Sequence, residues 1–318
     1  MSEVEYRKIQ ELFGIAAGDA VIQVRPACEH TPAQQHYAFS VELVRTLLLW
    51  LFGPTGTNLY LTGPTGAGKS SVIEQFIARV GGGLLRVGCH SRMEVADLVG
   101  RFVLTSTGGM EFAHGPLVQA MRDGHVLLLD EADLLPPPVA MGLNAVLDGS
   151  SLYIPETKER IYPAANFRIA VTGNSAGGGD DTGLYRGVVR QNMAWMDRFT
   201  VIKVDYLQPE AEQQVLAAAV PALPKSLAAQ MIEVANAVRA QYLAAVDNGE
   251  GLDITMSTRT LVRWGQLADA WRLAKLSNPL RLALKQALLN RASSATAVAI
   301  DEIAFRILGA LYNDSSAD

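Results

Sequence analysis

One stretch of the chain decides its fold, and it reads Gly63-Pro64-Thr65-Gly66-Ala67-Gly68-Lys69-Ser70. It fits the pattern GxxxxGK[ST], in which glycines let backbone N–H groups curl around a phosphate. The predicted short strand Thr57–Thr62 precedes it, and residues 70–80 follow with helical periodicity. The positive N-terminal end of that helix would point at the same anion. The stretch therefore predicts a phosphate-binding loop between a strand and a helix.

Two side chains of this loop carry its predicted chemistry. Lys69 is expected to bridge the β- and γ-phosphates of a nucleoside triphosphate, and Ser70 to supply a hydroxyl ligand to Mg²⁺. Ser71 joins the eight loop residues in the predicted nucleotide-binding set. The alternative, a glycine-rich turn without a ligand, is disfavoured by the flanking strand and helix.

A second motif lies further along the chain, where the wholly apolar run Val126–Leu129 ends in Asp130 and Glu131. Such a run is typical of a strand buried on both faces, and ligands bind at the carboxyl edge of open α/β sheets. We expect Asp130 to hold Mg²⁺ through water and Glu131 to orient and polarise the attacking water. The alternative is a pair of solvated acids at a strand end.

Asn174 is a further candidate for the same site. It lies just beyond the predicted strand Arg168–Thr172 and would position the water against the γ-phosphate. An asparagine after Gly173 is also a common turn former, and the spacing alone does not decide between the two interpretations.

Two arginines are candidates that depend on packing. Arg198 precedes the last predicted strand and would neutralise transition-state charge in a neighbouring chain. The alternative is a surface arginine paired with Asp197. Arg259 follows Ser257, a plausible helix N-cap, so its reach to the nucleotide depends on how the domains pack.

The order of elements predicts two domains. Strands alternate with helices as far as residue 206, which indicates a parallel sheet with right-handed crossovers. Beyond Pro209 the sequence is rich in Ala and Leu, with helical periodicity. We predict an α/β P-loop domain over 1–206, with 1–36 a possible N-terminal extension, and a smaller all-helical lid over 207–318. Segments 101–114 and 152–162 are predicted hairpins. The predicted helices include residues 37–52, 139–147 and 299–312.

Composition narrows the class of protein. The chain has 318 residues, 49% of them hydrophobic and 19% charged, as expected of a globular protein. Its net charge of −5 speaks against a partner nucleic acid. The two cysteines lack CxxC spacing, and the charged N-terminus does not resemble a signal peptide. Because the apolar run Leu47–Phe52 is far shorter than a bilayer span, we expect a cytoplasmic protein without membrane contact.

Taken together, these residues resemble the AAA+ ATPases from about residue 37 onward. The order of the P-loop, the Asp-Glu strand, the asparagine, the arginine and the helical lid is similar. The closer likeness is to the MoxR branch, which includes the CbbQ/NorQ proteins and the CobS subunit of cobaltochelatase.

Three stretches carry that closer likeness. Asp97–Gly100 with Gly115–Leu117 looks like the segment that brackets the helix-2 insert of this branch. Leu152–Tyr162 sits where its pre-sensor hairpin sits, and Asp181–Tyr185 with Met196–Phe199 looks particularly like CobS.

The resemblance implies roles that the residues alone leave open. Asn174 matches sensor 1, Arg198 the arginine finger and Arg259 sensor 2. It implies a Mg²⁺-dependent ATP hydrolase, a homo-oligomer in the form of a hexameric ring with ATP between subunits, and a partner carrying a von Willebrand factor A domain. The expected function is remodelling or activation of a client protein, for example a metalloenzyme. The alternative is the ATPase subunit of a metal chelatase that inserts metal into a tetrapyrrole.

Overall fold

The structure is a computed structural model that describes residues 5–54, 57–106, 108–175, 177–178, 187–248 and 251–313, the side chains of 245–248 excepted. It separates into two compact units. The first contains the described residues up to Gly63 and from Lys69 to Val204. The second contains Pro64–Gly68 and the described residues from Asp205 onward.

The N-terminal segment folds into elements that the sequence did not predict. Strands β1 (Glu5–Lys8) and β2 (Val21–Val24) pair antiparallel, and helix α1 (Ile9–Phe13) lies between them in the chain. Both strands are largely exposed, so they lack the apolar alternation that marks a strand in sequence. Phe13 anchors the segment, because its buried ring stacks on Phe76 at 5.5 Å between centroids.

Helix α2 (Val41–Phe52) begins four residues later than the predicted segment 37–52. The reason is its cap, since the Ser40 side chain accepts a hydrogen bond from the Leu43 N–H at 3.2 Å. The buried face of the helix includes Leu47 and Leu51, as the periodicity predicted.

Nine strands follow among the described residues of the first unit. In chain order they are β3 (Asn58–Thr62), β4 (Leu84–Gly88), β5 (Gly100–Leu104), β6 (Met110–His114), β7 (Val126–Asp130), β8 (Leu152–Ile154), β9 (Glu159–Ile161), β10 (Arg168–Gly173) and β11 (Phe199–Lys203). Five of them form one parallel sheet in the order β11-β3-β10-β7-β4. The pairs β5–β6 and β8–β9 are antiparallel, which confirms both predicted hairpins.

The helices that follow in this unit lie in predicted helical segments, apart from Val95–Val99 and Met193–Met196, which the sequence did not predict. They are α3 (Lys69–Val80), α4 (Val95–Val99), α5 (Pro116–Asp123), α6 (Pro137–Gly142), α7 (Asn144–Leu147) and α8 (Met193–Met196). The predicted helical segment 139–147 is helical except at Leu143, which separates two short helices, α6 and α7. The break directly follows Gly142, a residue type that weakens helix interiors.

The described part of the second unit after residue 208 consists of helices. They are α9 (Pro209–Ala219), α10 (Lys225–Asn248), α11 (Thr258–Leu273), α12 (Pro279–Ala287) and α13 (Ser294–Leu308), with short 3₁₀ turns at Leu289–Arg291 and Gly309–Tyr312. The last helix begins five residues before the predicted 299, because the Ser293 side chain caps it through the Thr296 N–H. A core that includes Trp264 and Tyr312 holds these helices together. The predicted fold class, an α/β sheet followed by a helical region, is confirmed.

A buried ion pair connects the first helices of this helical unit. The Arg239 guanidinium donates to both carboxylate oxygens of Glu212 at 2.7 Å and to the Met256 carbonyl at 2.7 Å. The two side chains are only 4% and 0% exposed. The pair therefore joins α9, α10 and the segment that leads into α11.

Removing one partner of this pair should destabilise the protein strongly. We expect Glu212→Ala to lower the free energy of unfolding by about 3–5 kcal/mol, because it leaves the Arg239 charge buried and uncompensated. Urea unfolding followed by circular dichroism measures the loss. Asp269→Ala is the matched control, since it breaks the exposed pair with Arg272 on α11 and should cost less than about 1 kcal/mol. Equal losses in the two variants would contradict the prediction.

Candidate nucleotide site

The predicted phosphate loop has a backbone that favours glycine at three positions. Gly63, Gly66 and Gly68 have φ angles of 148°, 73° and 88°, which side chains other than glycine rarely allow. A Cβ atom on Gly63 would also lie 2.0 Å from the carbonyl oxygen of Val204. The loop runs directly into α3 at Lys69. This is the strand, loop and helix order that the motif predicted.

The Lys69 side chain is buried at the edge of the sheet. Its Nζ donates to the Gly63 carbonyl at 2.7 Å and to Asn174 Oδ1 at 2.9 Å. Burial lowers the pKa of Lys69 to about 8, against the opposing effect of Asp133 and the neighbouring acids. The structure thus brings Lys69 and Asn174 together, as expected if both act on one ligand.

Asp130 ends strand β7 with a carboxylate that is surrounded by donors. Ser70 Oγ and Thr172 Oγ1 donate to its Oδ1, the second at 2.5 Å. Arg86 donates to Oδ2 through Nε at 3.0 Å and through Nη2. Burial alone would raise the pKa of Asp130, but the hydrogen bonds from Ser70, Thr172 and Arg86 outweigh it and lower that pKa. Asp130 is therefore held as a carboxylate, and the alternative of two solvated acids is wrong for this residue.

Glu131 differs from Asp130 in both exposure and backbone. Its side chain is exposed, and its φ of 59° lies in the left-handed region. Its N–H donates to Thr172 Oγ1 at 3.0 Å, which fixes this turn. A left-handed backbone costs a non-glycine residue about 1–2 kcal/mol, so the turn that presents Glu131 to solvent is imposed by its surroundings.

The structure gives Arg198 a partner outside the phosphate loop and shows Arg259 as an exposed side chain. Arg198 lies between α8 and β11 and forms two hydrogen bonds with Asp148, at 2.8 and 3.0 Å. The alternative that pairs it with Asp197 is therefore wrong. Arg259 is an exposed residue in the first turn of α11 in the second unit. Ser257 caps that helix through the Thr260 N–H at 3.1 Å, as predicted.

Three residues of the site were missed by sequence reasoning. Asp133 is fully buried and its carboxylate accepts the Asn174 N–H at 2.7 Å, so it positions the candidate sensor. Burial raises the pKa of Asp133. Thr172 and Arg86 reach Asp130 from the strands on either side of β7. Two of these residues could have been found in the sequence. Asp133 is the third acid of the stretch 130–133, and Thr172 is the polar residue that ends the predicted strand Arg168–Thr172.

Comparison with known proteins defines the class that this fold and site indicate. Residues 58–186 match the family described as AAA domain, dynein-related subfamily. Residues 212–307 match the CbbQ/NirQ/NorQ C-terminal family. The chain belongs to the AAA+ ATPases of the MoxR type, and the resemblance seen in the sequence is confirmed.

The chain is also similar to individual proteins, in sequence to two of them and in fold to a third. It is 30% identical over 286 residues to the aerobic cobaltochelatase subunit CobS of a Sinorhizobium species, with 85% of this chain and 84% of that protein covered. It is 30% identical over 211 residues to CbbQ of Hydrogenophilus thermoluteolus, with 66% and 73% covered. A RuvB mutant of Thermotoga maritima shares the fold, with a TM-score of 0.50 and 12% identity over 82% of this chain and 68% of that one.

Two further expectations from the sequence concern the CobS-like stretch and membrane contact. The CobS-like stretch Asp181–Tyr185 lies outside the described residues and stays a prediction. None of the helices that the structure describes combines the length and apolar character that a bilayer-spanning segment needs.

Proposed function

We propose that this AAA+ ATPase is a Mg²⁺-dependent ATP hydrolase that works as a homo-oligomeric ring in the cytoplasm and remodels or activates a client protein. The observation that carries the proposal is the meeting of Lys69, Ser70, Asp130 and Asn174 at one edge of the parallel sheet. Phosphoryl transfer depends mainly on positioning and charge stabilisation, and this edge offers a buried cation, a carboxylate and an amide for both.

The donor set at this edge fits a magnesium ion. Mg²⁺ prefers oxygen ligands and keeps several waters, and Ser70 Oγ and the Asp130 carboxylate are oxygen donors in direct contact. Because Ser70 gives its hydrogen to Asp130, a lone pair of its oxygen is left for the cation. Mg²⁺ bound there would neutralise negative charge on the β- and γ-phosphate oxygens.

The remaining residues have complementary proposed roles. The backbone of Gly63–Gly68 and the first residues of α3, Lys69 to Ser71, hold the phosphates. Glu131 orients and polarises the attacking water, and Asn174 positions it. Arg198 of a neighbouring subunit and Arg259 of the lid stabilise the charge that develops during transfer. We propose that residues 1–206 form the nucleotide-binding domain and 207–318 the lid that transmits hydrolysis to the client.

The ATPase proposal is tested by phosphate release and nucleotide binding. Purified protein should release phosphate from ATP in the presence of Mg²⁺, and chelation by EDTA should stop the release. Lys69→Met should lower ATP affinity about a hundredfold, because a charge-assisted contact is lost. Lys285→Met, on the charged side of α12 in the second unit, is the control and should bind ATP normally. Turnover that persists in EDTA would contradict the magnesium role.

The ring and its partners need a different test. Analytical ultracentrifugation with and without ATP should show assembly to a hexamer. A Glu131→Gln variant that keeps ATP bound should hold the client, so it is the bait for co-purification of a von Willebrand factor A domain partner and the client. A protein that stays monomeric at all nucleotide concentrations would contradict the ring.

A second candidate function is the ATPase subunit of a metal chelatase. The likeness to the cobaltochelatase subunit CobS over 84% of its length favours it. In that case ATP hydrolysis would power metal insertion into a tetrapyrrole held by partner subunits. Metal insertion changes the visible absorption of the tetrapyrrole. A spectrophotometric assay with the co-purified partners therefore distinguishes a chelatase from an activator of a protein client.

A further inference from the structure

The Asp130 carboxylate is saturated by donors of the chain itself. A carboxylate offers about four acceptor positions. Ser70 and Thr172 each give one hydrogen to Oδ1, and Arg86 gives two to Oδ2, through Nε at 3.0 Å and through Nη2. A metal-bound water that is to donate to Asp130 has to displace one of these four hydrogens.

The donor that can leave is Arg86. Thr172 is 1% exposed, and its hydroxyl also accepts the Glu131 N–H. Ser70 lies in the first turn of α3, where its contact with Asp130 leaves a lone pair for the cation. The Arg86 side chain is 48% exposed, and its Nη1 already donates to Glu74 Oε1 at 2.8 Å. Arg86 therefore has both solvent access and a second acceptor.

Strand register and helix periodicity explain this geometry. Gly88 lies opposite Asp130 in the parallel pair β4–β7, and Arg86 points to the same face of β4 two residues earlier. Nothing lies within 4 Å of where a Gly88 side chain would begin, so the arginine has room to extend toward Asp130. Glu74 follows Ser70 by one turn of α3 and lies on the same helix face.

We infer that Arg86 is a resident counter-ion of Asp130 that moves onto Glu74 when hydrated Mg²⁺ enters the site. The inference rests on the proposed Mg²⁺–ATP site and describes its regulation. A guanidinium and a divalent cation repel each other at one carboxylate, so Arg86 competes with the metal. Glu74 relieves the competition by accepting the displaced arginine. Together Arg86 and Glu74 set the free Mg²⁺ concentration at which the site binds Mg²⁺ and ATP.

Substitutions of the two residues should move magnesium affinity in opposite directions. The measured quantity is the Mg²⁺ concentration that gives half-maximal binding of a fluorescent, non-hydrolysable ATP analogue to the full chain. Arg86→Met removes the competing charge and should lower this midpoint about fivefold. Glu74→Gln keeps an acceptor oxygen but removes the negative charge that holds the displaced arginine, so it should raise the midpoint by a similar factor. Arg101→Met, which removes an exposed ion pair with Asp97, is the control and should leave the midpoint unchanged.

The outcomes separate this inference from the proposed function. If both variants raise the midpoint, Arg86 merely holds Asp130 in place and the inference fails. It also fails if neither variant moves the midpoint while the unaltered protein binds the analogue in a Mg²⁺-dependent way. If the unaltered protein binds no analogue, the proposed function fails as well. Should Arg86→Met not fold in a thermal unfolding test, Arg86→Lys takes its place, with a smaller decrease expected because lysine cannot make the paired contact.

Discussion

Replacing Glu131 with glutamine should abolish ATP turnover while leaving ATP binding nearly unchanged. The Glu131 side chain is exposed beside a buried Asp130, and the hydrogen bonds described for the Asp130 carboxylate come from Ser70, Thr172 and Arg86. An amide has the size of the carboxylate but cannot polarise or accept a proton from water. Because positioned bases contribute about 10²–10⁴-fold to rate, we expect phosphate release to fall at least about a hundredfold.

The backbone at this position makes glutamine the right substitution. Glu131 has a left-handed backbone, and glutamine carries the same Cβ atom, so the cost of that conformation does not change. Phosphate release and equilibrium binding of fluorescent ATP should be measured on the same preparation. Glu156→Gln, at an exposed position of the turn between β8 and β9, is the matched control. Normal turnover in Glu131→Gln would show that another group activates the water.

The elements that could be predicted from sequence are those with a local signal. The apolar run Val126–Leu129 predicted a central strand, and β7 is buried along its whole length. The Gln208-Pro209 step predicted the start of α9, since proline favours the first turn of a helix. The strands β1 and β2 carry no such periodicity, because β1 is exposed along its whole length and β2 is at most half-buried.

The missed contacts of the site depend on strand order, which local sequence does not encode. Arg86 and Thr172 touch Asp130 only because β4 and β10 flank β7 in the sheet. Arg198 shows the same limit, since its partner is Asp148 at the end of α7 rather than the adjacent Asp197. Asp197 and Arg198 lie between the end of α8 and the start of β11, and adjacency in sequence was a poor guide to this ion pair.

The second large effect is expected at Arg198, where alanine should make the protein inactive by itself. The arginine is held by Asp148 and has no described contact with Lys69, Ser70 or Asp130 of its own chain. An arginine supplied in trans contributes about 10³–10⁵-fold to phosphoryl transfer, so we expect phosphate release to fall at least about a thousandfold with ATP binding preserved. Asp148→Asn is the control, because it breaks the same ion pair but keeps the arginine, and it should retain activity.

Mixing two inactive variants decides whether Arg198 acts across a subunit boundary. An Arg198→Ala subunit has an intact Glu131, and a Glu131→Gln subunit has an intact Arg198. In a ring with head-to-tail interfaces, random assembly from equal amounts places the first beside the second in the productive order at about one interface in four. We therefore expect activity to return to roughly a quarter of the unaltered level, provided that each site works independently. If ultracentrifugation shows mixed rings but no activity returns, Arg198 acts within its own chain, because then neither subunit would contain a complete site.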